Sequence, residues 1–160
     1  MAIRTLHRFP CWLGVILLAL AAVETTAHAA AGRWLLDSRT HCRVWQAEPP
    51  PQASIRWSGA CKNGRAHGHG LLQWVIEGKP KGEFAGAYRD GKADGQGVAI
   101  FPDGSRYEGE WRKGKRYGHG VATFVDGSRY EGDWREDKMN GPGVRTWPNG
   151  DRYDGDWQEN

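Results

Sequence analysis

The chain has 160 residues, 23 of them glycine and 9 tryptophan. Its 22 Lys and Arg against 19 Asp and Glu leave a net charge of +3, without the strong basic excess of a dedicated nucleic-acid binder. The length suits one domain, and so many glycines beside so many aromatics point to short aromatic strands punctuated by turns.

Residues 1–29 carry the pattern of a secretory signal peptide. Arg4, His7 and Arg8 precede the apolar run "WLGVILLALAAV" (12–23), which is short for a bilayer span, and Ala27 and Ala29 supply the small residues of a cleavage site after Ala29. The alternative is an uncleaved N-terminal anchor. Cys11 lies ahead of the apolar core, the wrong place for a lipoprotein cysteine, and no adjacent arginine pair marks twin-arginine export. The expected location is therefore periplasmic or secreted.

Residues 30–56 form an N-terminal extension. Export leaves Cys42 and Cys61 as an even pair in an oxidising compartment, and a disulfide between them is expected in preference to two free thiols. The strand-like runs "CRVW" and "SIRWSG" lie between these cysteines and flank Pro49–Pro51, which favours an extended turn. Their spacing excludes a catalytic CxxC motif.

A repeat sheet is expected over 57–160. Gly86, Gly109, Gly132 and Gly155 recur every 23 residues, each preceded two residues earlier by Phe84, Tyr107, Tyr130 or Tyr153 and followed two later by Tyr88, Trp111, Trp134 or Trp157. The repeats fall near 57–74 (looser), 84–106, 107–129 and 130–152, with a partial copy at 153–160. Period-2 alternation predicts strands, and the doubled structure of each unit predicts a hairpin. The fold class is thus all-β: an elongated, single-layer, twisted antiparallel sheet of tandem 23-residue β-hairpins. Matching like faces sets Tyr107 opposite Phe124, Gly109 opposite Ala122, Trp111 opposite Gly120, and Phe124 opposite Tyr130 across the next turn. One face becomes an aromatic–glycine ladder. The other carries Glu108, Thr123, Glu131, Thr146 and Asp154 in one row and Glu110, Val121, Asp133, Val144 and Asp156 in the next.

The stretch "YEGEWRKGKRYGHGVATFVDGSRYEGDW" resembles the MORN repeat (membrane occupation and recognition nexus), whose pattern runs Y-x-G-x-W-x-x-G-x-x-x-G-x-G. The resemblance covers 84–157 well and 57–74 loosely, and with "CRVW…WSGAC" it extends to bacterial exported proteins with such repeats after a disulfide loop. It implies an elongated sheet of consecutive hairpins and a role as an interaction or scaffold module, with links to phospholipid binding. Two features depart from the pattern. Arg145 takes the small-residue slot of Ala99 and Ala122, so its guanidinium must stack beside Tyr or Trp or reach solvent. "YDGDW" (153–157) lacks a hairpin partner, which invites strand addition by a partner or a second copy, but Asp154 and Asp156 as protective charges on a finished edge are the preferred reading.

No catalytic constellation emerges, so no enzyme and no cofactor are expected. His67 and His69 lie close in sequence, but His69 fills a variable slot shared with Gln96, His119 and Pro142, and a full metal-ligand set is lacking. Two binding surfaces remain. One is the aromatic face of Tyr107, Trp111, Tyr130, Trp134, Tyr153 and Trp157, suited to a protein partner or to stacking on a sugar. The other is the basic loop of Arg112, Lys113, Lys115 and Arg116, suited to anionic lipid, although the neighbouring turns mix both signs of charge. A protein-interaction scaffold of the cell envelope is the leading expectation, and peripheral binding of anionic phospholipid or an envelope polymer is the alternative.

Overall fold

A computed structural model describes residues 32–158, and the predicted signal peptide lies outside the described residues. Twelve strands follow one another: β1 (Arg33–Leu36), β2 (Arg43–Gln46), β3 (Ser54–Trp57), β4 (Ala60–Lys62), β5 (Arg65–Ile76), β6 (Lys79–Arg89), β7 (Lys92–Ile100), β8 (Arg106–Arg112), β9 (Lys115–Thr123), β10 (Arg129–Arg135), β11 (Lys138–Thr146) and β12 (Arg152–Trp157). From β5 to β12 each strand pairs antiparallel with the next, in the expected sheet of consecutive hairpins. The N-terminal extension adds a feature that the repeat pattern does not contain. β1 and β2 form their own antiparallel pair, and β2 meets β5 in parallel at Arg43 and Arg65, while β3 and β4 pair antiparallel with β5.

From β6 onward two turn types alternate. The tight ones place two residues in left-handed conformation, as at Asp90–Gly91 (φ 50° and 79°) and Lys113–Gly114 (φ 53° and 88°), which is the type I′ geometry that matches strand twist. The tight turn between β10 and β11 has Asp137 in the glycine slot at φ 71°. Asp is among the non-glycine residues that tolerate this region, and its carboxylate reaches across to the neighbouring hairpin to accept from the Arg116 backbone N–H at 2.8 Å. The wider loops "PDGS" and "VDGS" close through the Phe101 N–H to Ser105 carbonyl bond and the Phe124 N–H to Ser128 carbonyl bond.

These turns correct the expected register. Tyr107 stands opposite Ala122 and Gly109 opposite Gly120, each shifted by two residues, and Trp111 stands opposite Arg116. Across the next loop Tyr130 also faces Ala122, because Phe124 belongs to the loop closure. The cause is local: the two-residue turn fixes Arg112 against Lys115, and the irregularity between Gly109 and Trp111 then sets extra β9 residues against Glu110. An even shift keeps every side chain on its predicted face, whereas an odd one would have inverted the sheet. The polar rows change accordingly. Glu108, Glu131 and Asp154 lie beside Val121 and Val144, while Thr123 and Thr146 lie beside Arg106, Arg129 and Arg152; Asp133 faces His119 and Asp156 faces Pro142.

The core has two parts. One joins Leu35, Val44, Ile55, Trp57, Leu72 and Phe84, so the N-terminal strands bury the start of the repeat sheet. The other is built from Tyr107, Ala122, Tyr130, Trp134 and Met139, and Phe101 and Trp111 touch both.

Candidate functional site

The aromatic face is a continuous chain of edge-to-face rings. Phe84, Trp111, Tyr107, Trp134, Tyr130, Trp157 and Tyr153 follow one another with centroids 5.1–5.3 Å apart and planes 83–89° apart, the arrangement that ring quadrupoles prefer. Each tyrosine lies over glycine. A Cβ on Gly120 would stand 2.3 Å from the Tyr107 hydroxyl, and one on Gly143 would stand 2.3 Å from that of Tyr130. This explains why glycine occurs on this face at the repeat interval.

The polar ends of these rings bond within the ladder. The Tyr107, Tyr130 and Tyr153 hydroxyls donate to the carbonyls of Glu110, Asp133 and Asp156, and the Trp111, Trp134 and Trp157 indoles donate to those of Gly97, Gly120 and Gly143. Burial of Tyr130 pushes its phenol up to about 12, and burial raises that of Tyr107 as well. Of the six candidate rings, Tyr107, Tyr130 and Trp134 are buried, Trp111 and Trp157 are half-buried, and Tyr153 is 45% exposed.

The basic loop is largely engaged. Lys115 pairs with Glu136, Arg116 Nε lies 3.3 Å from Asp137 Oδ1, and Arg112 lies 5.0 Å from the Tyr117 ring centroid. Arg116 also lies over Trp134 at 4.3 Å. Arg145 meets its expectation by stacking, over Phe124 at 4.8 Å and Trp147 at 5.1 Å, and its Nη2 donates to Ser128 Oγ at 3.0 Å. Cys42 and Cys61 are joined in a disulfide. His67 is half-buried and His69 exposed, and among the described residues no cluster of three metal-ligating side chains occurs.

One site was not anticipated. A cavity of about 540 Å³ separates the extension from the repeat sheet. Trp45, Ala47, Glu48 and Pro50 line one side, and Trp74, Phe84, Tyr88, Phe101, Trp111 and Arg116 line the other. The only sequence signal for it was the proline run beside a tryptophan outside the repeat slots, because the fold alone sets that loop against the ladder. Asp37 was also missed. Fully buried, it holds the β1–β2 turn to β3 by accepting from the Trp57 N–H at 2.8 Å and the Arg39 N–H at 2.9 Å.

These features define a class first: an open sheet of tandem β-hairpins whose core is a ladder of rings packed on glycine. The family model described as MORN repeat matches residues 58–79, 84–106, 107–129 and 130–152, more than half of the chain. The chain belongs to the MORN repeat family, whose repeats are generally non-catalytic modules that bind proteins or membrane lipids. No curated protein matches it.

Proposed function

We propose that the chain is an exported interaction scaffold of the cell envelope that binds a protein partner through the exposed Tyr153–Trp157 part of its aromatic ladder. One observation carries this reading. Tyr107 and Tyr130 are fully buried, each between its own tryptophan and that of the following repeat, while the equivalent Tyr153 is 45% exposed and touches Trp157 alone among the ladder's tryptophans. A Tyr–Trp pair with open faces is the kind of anchor that binding hot spots use. The Cys42–Cys61 bridge supports an oxidising compartment, in keeping with the apolar N-terminal segment.

Binding of anionic lipid by the basic loop is the weaker reading, because Lys115 and Arg116 already face Glu136 and Asp137. The test is capture of envelope proteins on the immobilised full-length chain beside a Tyr153→Ser/Trp157→Ser variant. A specific protein retained by the wild type and lost by the variant supports the scaffold. Capture of nothing specific, set against tight salt-sensitive binding to anionic vesicles, refutes it.

A further inference from the structure

Arg116 sits in a nest that the preceding repeat keeps but leaves without its arginine. The guanidinium carbon lies 4.3 Å from the Trp134 ring centroid and 5.8 Å from that of Tyr107. Its Nε donates to Asp137 Oδ1 at 3.3 Å, and its Nη2 donates to the Asp137 carbonyl at 2.8 Å. Under this cover Trp134 is 4% exposed. One repeat of 23 residues earlier, Ala93, Trp111, Phe84 and Gly114 stand for Arg116, Trp134, Tyr107 and Asp137. The backbones correspond. The Gly114 N–H donates to the Ala93 carbonyl at 2.8 Å, as the Asp137 N–H donates to the Arg116 carbonyl at 3.2 Å. What the earlier repeat lacks is a guanidinium and the carboxylate that holds it.

All four of those earlier residues line the cavity between the extension and the sheet, and Trp111 there is half-buried. The cavity therefore stands where a guanidinium stands one repeat later. Its other walls restore what the repeat has lost. Glu48 from the extension and Asp103 from the "PDGS" loop bring carboxylates, and Trp45 brings a second ring, over which Lys92 Nζ already lies at 5.4 Å. Among the described residues that line the cavity, the cationic one, Arg116, is held by Asp137. This excess of carboxylate disfavours a phosphate or carboxylate ligand and favours a cation on the rings. A planar guanidinium meets a ring face and a carboxylate together better than a compact, strongly hydrated ammonium does. The volume of about 540 Å³ falls within the range of about 300–1,000 Å³ usual for small-molecule sites.

We propose that this cavity binds a guanidinium group, that of free arginine or of a polypeptide arginine, stacked on Trp111 with Glu48 and Asp103 as counter-charges. The site lies apart from the Tyr153–Trp157 surface, so either reading stands if the other fails. Uniformly ¹⁵N-labelled full-length protein is titrated with N-acetylargininamide, its neutral isostere N-acetylcitrullinamide, N-acetyllysinamide and the end-capped pentapeptide GGRGG. The tryptophan indole N–H resonances are followed, and affinities are taken from the same titrations.

The arginine amide is expected to shift the Trp111 resonance saturably and to leave that of Trp157 in place. The citrulline and lysine amides should bind at least about tenfold more weakly, the first for want of charge and the second for want of a planar group. Equal affinity for the arginine amide and the pentapeptide identifies free arginine as sufficient, and tighter binding of the pentapeptide identifies a polypeptide. Ala93→Arg supplies the guanidinium from within the chain and is expected to abolish binding. Glu48→Gln, at an exposed position, is expected to weaken it about threefold. The proposal is overturned if the arginine amide leaves Trp111 unmoved, if the citrulline or lysine amide binds equally well, or if a folded Ala93→Arg variant binds undiminished. The wild-type titrations decide the matter even if that variant does not fold.

Discussion

Substitution of Asp37 by asparagine tests how the extension is fastened to the sheet. The Asp37 carboxylate is fully buried, and burial alone would raise its pKa. Bonds from the Trp57 and Arg39 N–H groups, together with the Arg39 guanidinium, outweigh that cost and hold it at about 2 against an ordinary 3.8. At about 1.4 kcal/mol per pKa unit, the difference corresponds to ~2.5 kcal/mol of folding free energy. Because the folded-state pKa is the lower one, this stabilisation is complete above pH 4 and disappears as the pH falls through about 2. Urea unfolding followed by tryptophan fluorescence at several pH values is the assay. Wild type should exceed Asp37→Asn by about 2 kcal/mol at pH 7, and the two curves should converge near pH 2. Other carboxylates held low, such as Asp103, Asp126 and Glu136, destabilise both proteins equally in acid, so the difference between the curves isolates Asp37. Parallel curves from pH 7 to pH 2 would refute the reasoning.

Three further outcomes are expected. Replacing Cys42 and Cys61 by serine should cost about 3 kcal/mol in chemical unfolding, the chain-entropy value for a loop with a sequence separation of 19; the same loss should follow reduction of the wild type. Gly120→Ala should cost about 1–3 kcal/mol by thermal melting, because the new methyl meets the Tyr107 hydroxyl at 2.3 Å and the ring has Trp111 and Trp134 on either side. Raised phenol pKa values at Tyr88, Tyr107 and Tyr130 mean that the folded state holds their protons longer. Stability should therefore be intact below pH 10 and fall as the pH rises through about 12, with phenolate absorbance appearing together with unfolding.

Much of this fold was legible because the repeat writes one local rule several times. The rings and glycines two residues apart dictated the faces, and those survive the corrected pairing because the shift is even. The register itself was hidden. It depends on where the chain bulges, and the positive φ of Gly118 (62°) and Gly141 (81°) looks in sequence like any other glycine of the ladder. The disulfide was legible from an even pair of cysteines and the expectation of export. The cavity was not, since Glu48 and Trp74 are far apart in sequence and come to line it together through the pairing of β3 with β5, where Ile55 stands opposite Trp74. Asp37 was overlooked for a similar reason: its partner Trp57 lies 20 residues away, and no local motif announces the bond.

The positions where the repeat departs from its own rule are the informative ones. Inside the ladder every ring has two neighbours and every polar end a carbonyl, so a residue there is fixed by packing and offers little to a partner. Arg145 breaks the small-residue rule and is held by Phe124, Trp147 and Ser128, with its Nε left buried and unpartnered. Asp137 breaks the turn rule and is absorbed by Arg116, which draws that arginine out of any free basic surface. What is left unabsorbed among the described residues is the exposed Tyr153 ring and three buried polar atoms without a partner, His67 Nδ1, Trp74 Nε1 and Arg145 Nε. Local consistency elsewhere makes these the places where stability has not been maximised, which is where binding energy remains to be gained from a ligand or a partner.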